Sequence, residues 1–180
     1  MTSELRVDKI IPTIGVPSGG GGGIIQVVNT IKTDTFSTNA NMATANKATI
    51  TGLTATITPK FSTSKILVIM NLLVGATADT TIAGTIERGS TPIGIADARG
   101  NRTRNTFGCG IPASGATWRT HSVSRILVDS PNTTNATTYS IKIGGNGSQT
   151  VYINREARDS DNATDTTIGT SSLILMEISA

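Results

Sequence analysis

Cysteine occurs once in this 180-residue chain, as Cys109, and histidine once, as His121. A single thiol excludes an internal disulfide framework and a multi-cysteine metal site. A single imidazole leaves any Ser-His-Asp arrangement one candidate base, and Ser122, Ser124 and Asp129 fall in the same predicted strand. Neighbouring strand residues point to opposite faces, so Ser122 cannot reach back to that ring. Glutamate is scarce, which disfavours the convergent carboxylates of glycoside cleavage. The chain is expected not to be an enzyme, with no catalytic residue, cofactor or metal site assigned.

Aromatic residues make up 3% of the chain and charged residues 15%, with 15 Lys and Arg against 12 Asp and Glu. So slight a positive excess, with so few rings to stack on bases, argues against a nucleic-acid partner. No apolar run approaches the roughly 20 residues of a membrane-spanning helix. MTSELRVDK carries charges where a signal peptide has its apolar centre. A protein made in the cytoplasm, without membrane insertion, is expected. The charge content also lies below the roughly one quarter of an average soluble domain, which points to covered surfaces.

What the chain has instead is threonine, serine, asparagine and glycine. The branched Cβ of threonine favours strands. Short β-rich runs recur between turn residues, which predicts an all-β fold, an antiparallel β-sandwich. Nine strands are expected: Ile24 to Ile31, Thr49 to Thr58, Lys65 to Val74, Ile82 to Arg88, Pro92 to Ala96, Trp118 to Asp129, Thr137 to Ile143, Thr150 to Asn154 and Ser172 to Ile178. In TGLTATITP, Leu53, Ala55 and Ile57 alternate with threonines, the pattern of a strand wet on one side. KILVIMNLLV and SSLILMEIS are apolar on both faces, and one small sandwich has a single interior, so the second face is expected to be covered outside the domain or under loops, with subunit contact the simplest supply. In WRTHSVSRILVD the first half reads as polar on both sides and the second half as core. Asp97 to Thr117 reads as the longest loop.

Residues 1–23 differ from the rest. Leu5, Val7, Ile10 and Ile11 are interspersed with charges, and Pro12 and Pro17 interrupt any helix. An extended N-terminal docking arm is expected over 1–23, ending in glycines 19 to 23, with the sandwich domain over 24–180. The glycine run precedes a strand and is not followed by Lys-Ser/Thr, so it is no phosphate loop. It reads as a hinge, or as a place where backbones approach closely.

Two arginine groups stand out in the loops: Arg99, Arg102 and Arg104 in one, Arg155 and Arg158 beside Asp159 and Asp161 in another. Guanidinium forks suit carboxylate or phosphate on a partner, while salt bridges between loops are the blander reading. Asp159, Asp161 and Asp165 lack the glycine and terminal glutamate of the twelve-residue calcium loop and read as a solvated loop. Trp118 and Tyr152 are the evident stacking side chains for a sugar.

SELRVDKIIP, GVPSGGGGGIIQVV, TGLTATITPKFSTSKILVIMNLLV, ERGSTPIGIADARGNRTR, VDSPNTTNATTYSIKI, TVYINREARDSDN and LILMEISA together resemble a family of short cyanophage proteins, tail-fibre-like components of the virion. The resemblance runs over nearly the whole chain and is most specific in ITPKFSTSKILV and DSPNTTNATTY. It implies a sandwich of jelly-roll type, a homotrimer, and display on the particle surface as a tail or head appendage. No catalytic residue is carried over from it. Leu5, Val7, Ile10 and Ile11 are then expected to dock into other virion proteins, and Arg102, Arg104, Trp118 and Tyr152 to contact host surface polysaccharide. A capsid decoration or head fibre protein, or a carbohydrate-binding module without catalysis, are the alternative readings.

Overall fold

Among the described residues eleven strands form, most of them rich in threonine, valine and isoleucine, and turn residues end them. The structure, a computed structural model, describes residues 23–43, 46–77, 79–112, 116–147, 149–161 and 164–179. The expected docking residues Leu5, Val7, Ile10 and Ile11, and most of the glycine run, lie outside the described residues. The strands are β1 (Ile24–Lys32), β2 (Phe36–Thr38), β3 (Ala48–Ile57), β4 (Lys65–Ala76), β5 (Thr80–Arg88), β6 (Thr91–Ile93), β7 (Phe107–Ile111), β8 (Thr120–Asp129), β9 (Thr137–Gly145), β10 (Val151–Ile153) and β11 (Ser171–Ile178).

They pair, antiparallel throughout, into two sheets. Sheet A runs β1-β11-β4, with β8 on the far side of β4 and with β10 and β2 extending it. Sheet B runs β3-β9-β5, with β6 and β7 both on the free side of β5. The all-β, antiparallel, sandwich-like architecture read from the sequence is the one found. Two strands went unforeseen, β2 and β7, and β7 lies inside the stretch expected to be the longest loop. Trp118 does not open a strand; it ends a single 3₁₀ turn, Ala116–Trp118, two residues before β8 begins.

The core lies between the sheets. Ile66, Val68, Met70 and Leu72 of β4 and Leu173 and Leu175 of β11 face Leu53, Ile57, Ile86 and Ile141 of sheet B, all of them buried. Each such side chain withdrawn from water contributes about 1.5 to 3 kcal/mol before ordering costs. Tyr139 is fully buried, and its hydroxyl donates to Asp129 Oδ2 at 2.7 Å. Arg88 holds the same carboxylate at 2.8 Å, tying sheet B to the end of β8.

Candidate functional site

The two outer faces of the sandwich differ in chemistry. On sheet B, Thr54, Thr56, Thr138, Ser140 and Lys142 point outward, and the hydroxyls of Thr56 and Thr138 meet across the strands at 2.7 Å. Lys142 pairs with Glu87 at 2.9 Å. The chain itself covers the β5 end of that face. Met42 N donates to Gly145 O at 2.8 Å, Gly145 N donates to Ala40 O at 2.9 Å, and Ala83 and Thr85 are buried although they face outward.

Sheet A shows the reverse. Its register sets Val27, Met176, Leu67 and Val128 in one row across four strands. Asn29, Ile174, Ile69 and Ile126 form the next row, and Ile31, Ser172, Asn71 and Ser124 the third. No charged side chain stands in any of the three rows. Val27 is 54% exposed, Ile126 66% and Val128 59%, while Leu67, Ile69, Ile174 and Met176 are half-buried. An antiparallel sheet with one solvated face ordinarily alternates apolar-in with polar-out. Contiguous exposed apolar faces of this kind are uncommon on single soluble chains.

This refines the reading of the two doubly apolar segments. One face of β4 and one of β11 are in the core, and their second faces build an apolar plaque on the outside of sheet A among the described residues. For β8 the expectation is corrected. Its second half is not wholly core, because Leu127 turns inward while Ile126 and Val128 turn out. Three apolar residues in a row hide this alternation.

The four expected receptor residues fall into two groups. Trp118 is 63% exposed with the Arg158 guanidinium 4.9 Å from its ring centroid, and Arg155 lies 4.0 Å over the ring of Tyr152. Arg158 also pairs with Asp165 at 2.7 Å and Arg155 with Asp159 at 3.2 Å, the local salt bridges of the blander reading. Asp159 and Asp165 thus answer to different arginines, and among the described residues no three His, Cys, Asp or Glu side chains converge as metal ligands. His121 Nε2 is buried without a hydrogen-bond partner among the described residues.

Arg102 and Arg104 lie elsewhere, on the loop from Gly94 to Thr106 that joins β6 to β7. The loop is clamped to sheet B, Thr106 N donating to Gly84 O at 2.9 Å and the Thr106 hydroxyl to Ile93 O at 2.8 Å, and it is closed on itself where Ala96 N donates to Asn105 O at 3.3 Å. Along this loop lie three cavities of about 580, 340 and 260 Å³ that share lining residues; β8 lines the first two, and the third lies between the loop and Thr85 and Pro92 of sheet B. Arg125, which the sequence did not single out, lines two of them. It sits on the inward face of edge strand β8, where the sandwich is open, and its Nε donates to Thr106 O at 2.8 Å.

No family model matches the chain, and no curated protein matches it. Among solved structures it is similar to the VP2 subviral particle of infectious bursal disease virus, with a TM-score of 0.39 and 13% identity over 94% of this chain and 42% of that one. A T=1 particle derived from infectious bursal virus is similar at a TM-score of 0.39 and 15% identity, covering 94% of this chain and 41% of that one. The chain therefore spans about two fifths of the length of both.

Proposed function

We propose that the chain is a structural protein of a bacteriophage virion, a homotrimeric surface appendage without catalytic activity. Copies meet through the outer face of sheet A, residues 1–23 dock into a neighbouring virion protein, and the edge loops are displayed for host attachment. The observation that carries this reading is the uncharged apolar face of sheet A. It has no charge for an unlike partner to match, and three copies packed around a common axis cover one another, one side of each face meeting the other side of the next. Burying the exposed parts of Val27, Ile126 and Val128 contributes about 1 kcal/mol each per subunit. The resemblance to short phage appendage proteins supports the virion setting and the trimer. Setting aside β2, β6 and β10, sheet A orders its strands β1-β11-β4-β8 and sheet B β3-β9-β5-β7. Eight antiparallel strands split evenly between two sheets in this interleaved order support the jelly-roll reading.

Sedimentation of the full chain tests it. A trimer is expected, and Ile126→Asp combined with Val128→Asp is expected to give folded single subunits. A wild-type chain that sediments as one subunit would overturn the self-association. Removing residues 1–23 is expected to leave a folded trimer absent from particles, and its incorporation would refute the docking role. Locating the protein in images of intact particles decides between tail and head.

A further inference from the structure

The open edge between β8 and the Gly94–Thr106 loop gathers arginines without a carboxylate to match them. Arg102 and Arg125 line the 580 Å³ cavity together, Arg104 lines the 260 Å³ cavity beside Arg102, and no aspartate or glutamate lines any of the three. Asp97 lies on the same loop but outside all three linings. None of the three arginines has an ion-pair partner among the described residues. Two are already aimed: Arg104 Nε donates to Ala96 O at 2.6 Å and Arg125 Nε to Thr106 O at 2.8 Å. With Nε so engaged, each guanidinium is fixed at its stem and keeps terminal N–H groups for a planar anion, which lowers the ordering cost of binding.

A second, independent feature lies in the same cavities. Asn105 lines two of them, and its Nδ2 donates to Thr103 O at 3.2 Å, which sets the amide orientation. Its Oδ1 is then a buried acceptor without a hydrogen-bond partner among the described residues. Buried acceptors are rarely left empty. A hydroxyl fills this one and a carboxylate cannot.

We propose that this edge binds a carboxylated sugar, the uronate unit of an acidic polysaccharide, with Arg102 and Arg125 taking the carboxylate, Asn105 Oδ1 accepting from a ring hydroxyl, and Arg104 adding positive charge from the neighbouring cavity. The inference deepens the host-attachment reading and rests on it for biological meaning, but its chemistry stands without the trimer.

Calorimetry with the full chain tests it, using a soluble polyuronate, neutral dextran, dextran sulfate and polyglutamate. Polyuronate is expected to bind at least about tenfold tighter than each of the other three. Arg104→Gln with Arg125→Gln is expected to weaken polyuronate at least about tenfold at unchanged thermal stability and sedimentation. Asn105→Asp, which sets a carboxylate against the ligand, is expected to do the same. Dextran sulfate or polyglutamate binding as well as polyuronate overturns the sugar carboxylate, as does indifference to these substitutions. Polyuronate binding by a single subunit would sink the trimer and keep this site; a trimer that ignores polyuronate would sink this site alone.

Discussion

Asn154 shows how much one side chain can hold. It is fully buried with φ of 69°, in the left-handed region that asparagine tolerates better than most residues. Its Nδ2 donates to Lys32 O at 2.9 Å and Asp34 O at 2.8 Å, and its Oδ1 accepts from Ser171 at 2.7 Å. Removing the amide strands two carbonyls, so Asn154→Ala is expected to cost about 3 kcal/mol in urea unfolding. Asn154→Gly relieves the backbone but not the carbonyls, and about 1 kcal/mol of that loss is expected to return. Glu177 makes a second tie. It is fully buried at the end of β11, accepting from Gln26 Nε2 at 2.5 Å and from the backbone N–H of Lys60 at 2.7 Å. Burial alone would raise its pKa, but hydrogen bonds from Gln26, Lys60 and Phe61 outweigh it and hold the carboxyl below its ordinary 4.5. A pKa depressed by folding stabilises above the unfolded value, and that stability is lost as pH falls through the folded one. Melting temperature is therefore expected to drop as the wild type is acidified below about pH 4.5, with Glu177→Gln less stable at neutral pH and flatter across that interval. A melting curve for Glu177→Gln that parallels the wild type would show that this carboxylate is not the group responsible.

At the scale of elements, the sequence told most where a strand is wet on one side. β3 was legible because threonine alternates with core residues. β7 was not, because Gly108 and Gly110 occupy the outward positions where polar residues usually mark the alternation, although Phe107, Cys109 and Ile111 keep the inward period. The partner of Phe107 across the ladder is Gly84, and the aromatic ring fills the space a side chain there would take. A Cβ at Gly84 would collide with that ring and with the Lys142 carbonyl, whereas one at Gly110 would meet nothing. Gly84→Ala is expected to destabilise by about 1 to 3 kcal/mol and Gly110→Ala to change stability by less than about 0.5 kcal/mol, both read by chemical unfolding. The apolar plaque was half legible. Two strands greasy on both faces announced it, but the contributions of Val27, Ile126 and Val128 follow from register, which no local pattern encodes. Arg125 escaped notice for the same reason. Only the pairing with Met70 shows that it points inward at an open edge, into a cavity that Arg102 also lines.

Over the whole molecule, the two proposed surfaces would draw on different forces, and they lie on different sides of β8. Ile126 and Val128 belong to the outer face of sheet A, while Arg125 and Leu127 turn toward the gap between the sheets. Self-association through an uncharged face draws on apolar burial, which salt does not screen. Sugar binding through guanidinium groups at an open edge draws on charge, and the Debye length shrinks from about 10 Å at 0.1 M to about 3 Å at 1 M salt. Raising sodium chloride over that range is expected to leave the sedimenting trimer intact while polyuronate affinity falls at least about tenfold. A trimer that dissociates under the same change would place charged contacts in its interface, which the three charge-free rows on sheet A do not supply. Salt-insensitive polyuronate binding would move the contact away from the arginines and toward ring stacking on Trp118 or Tyr152.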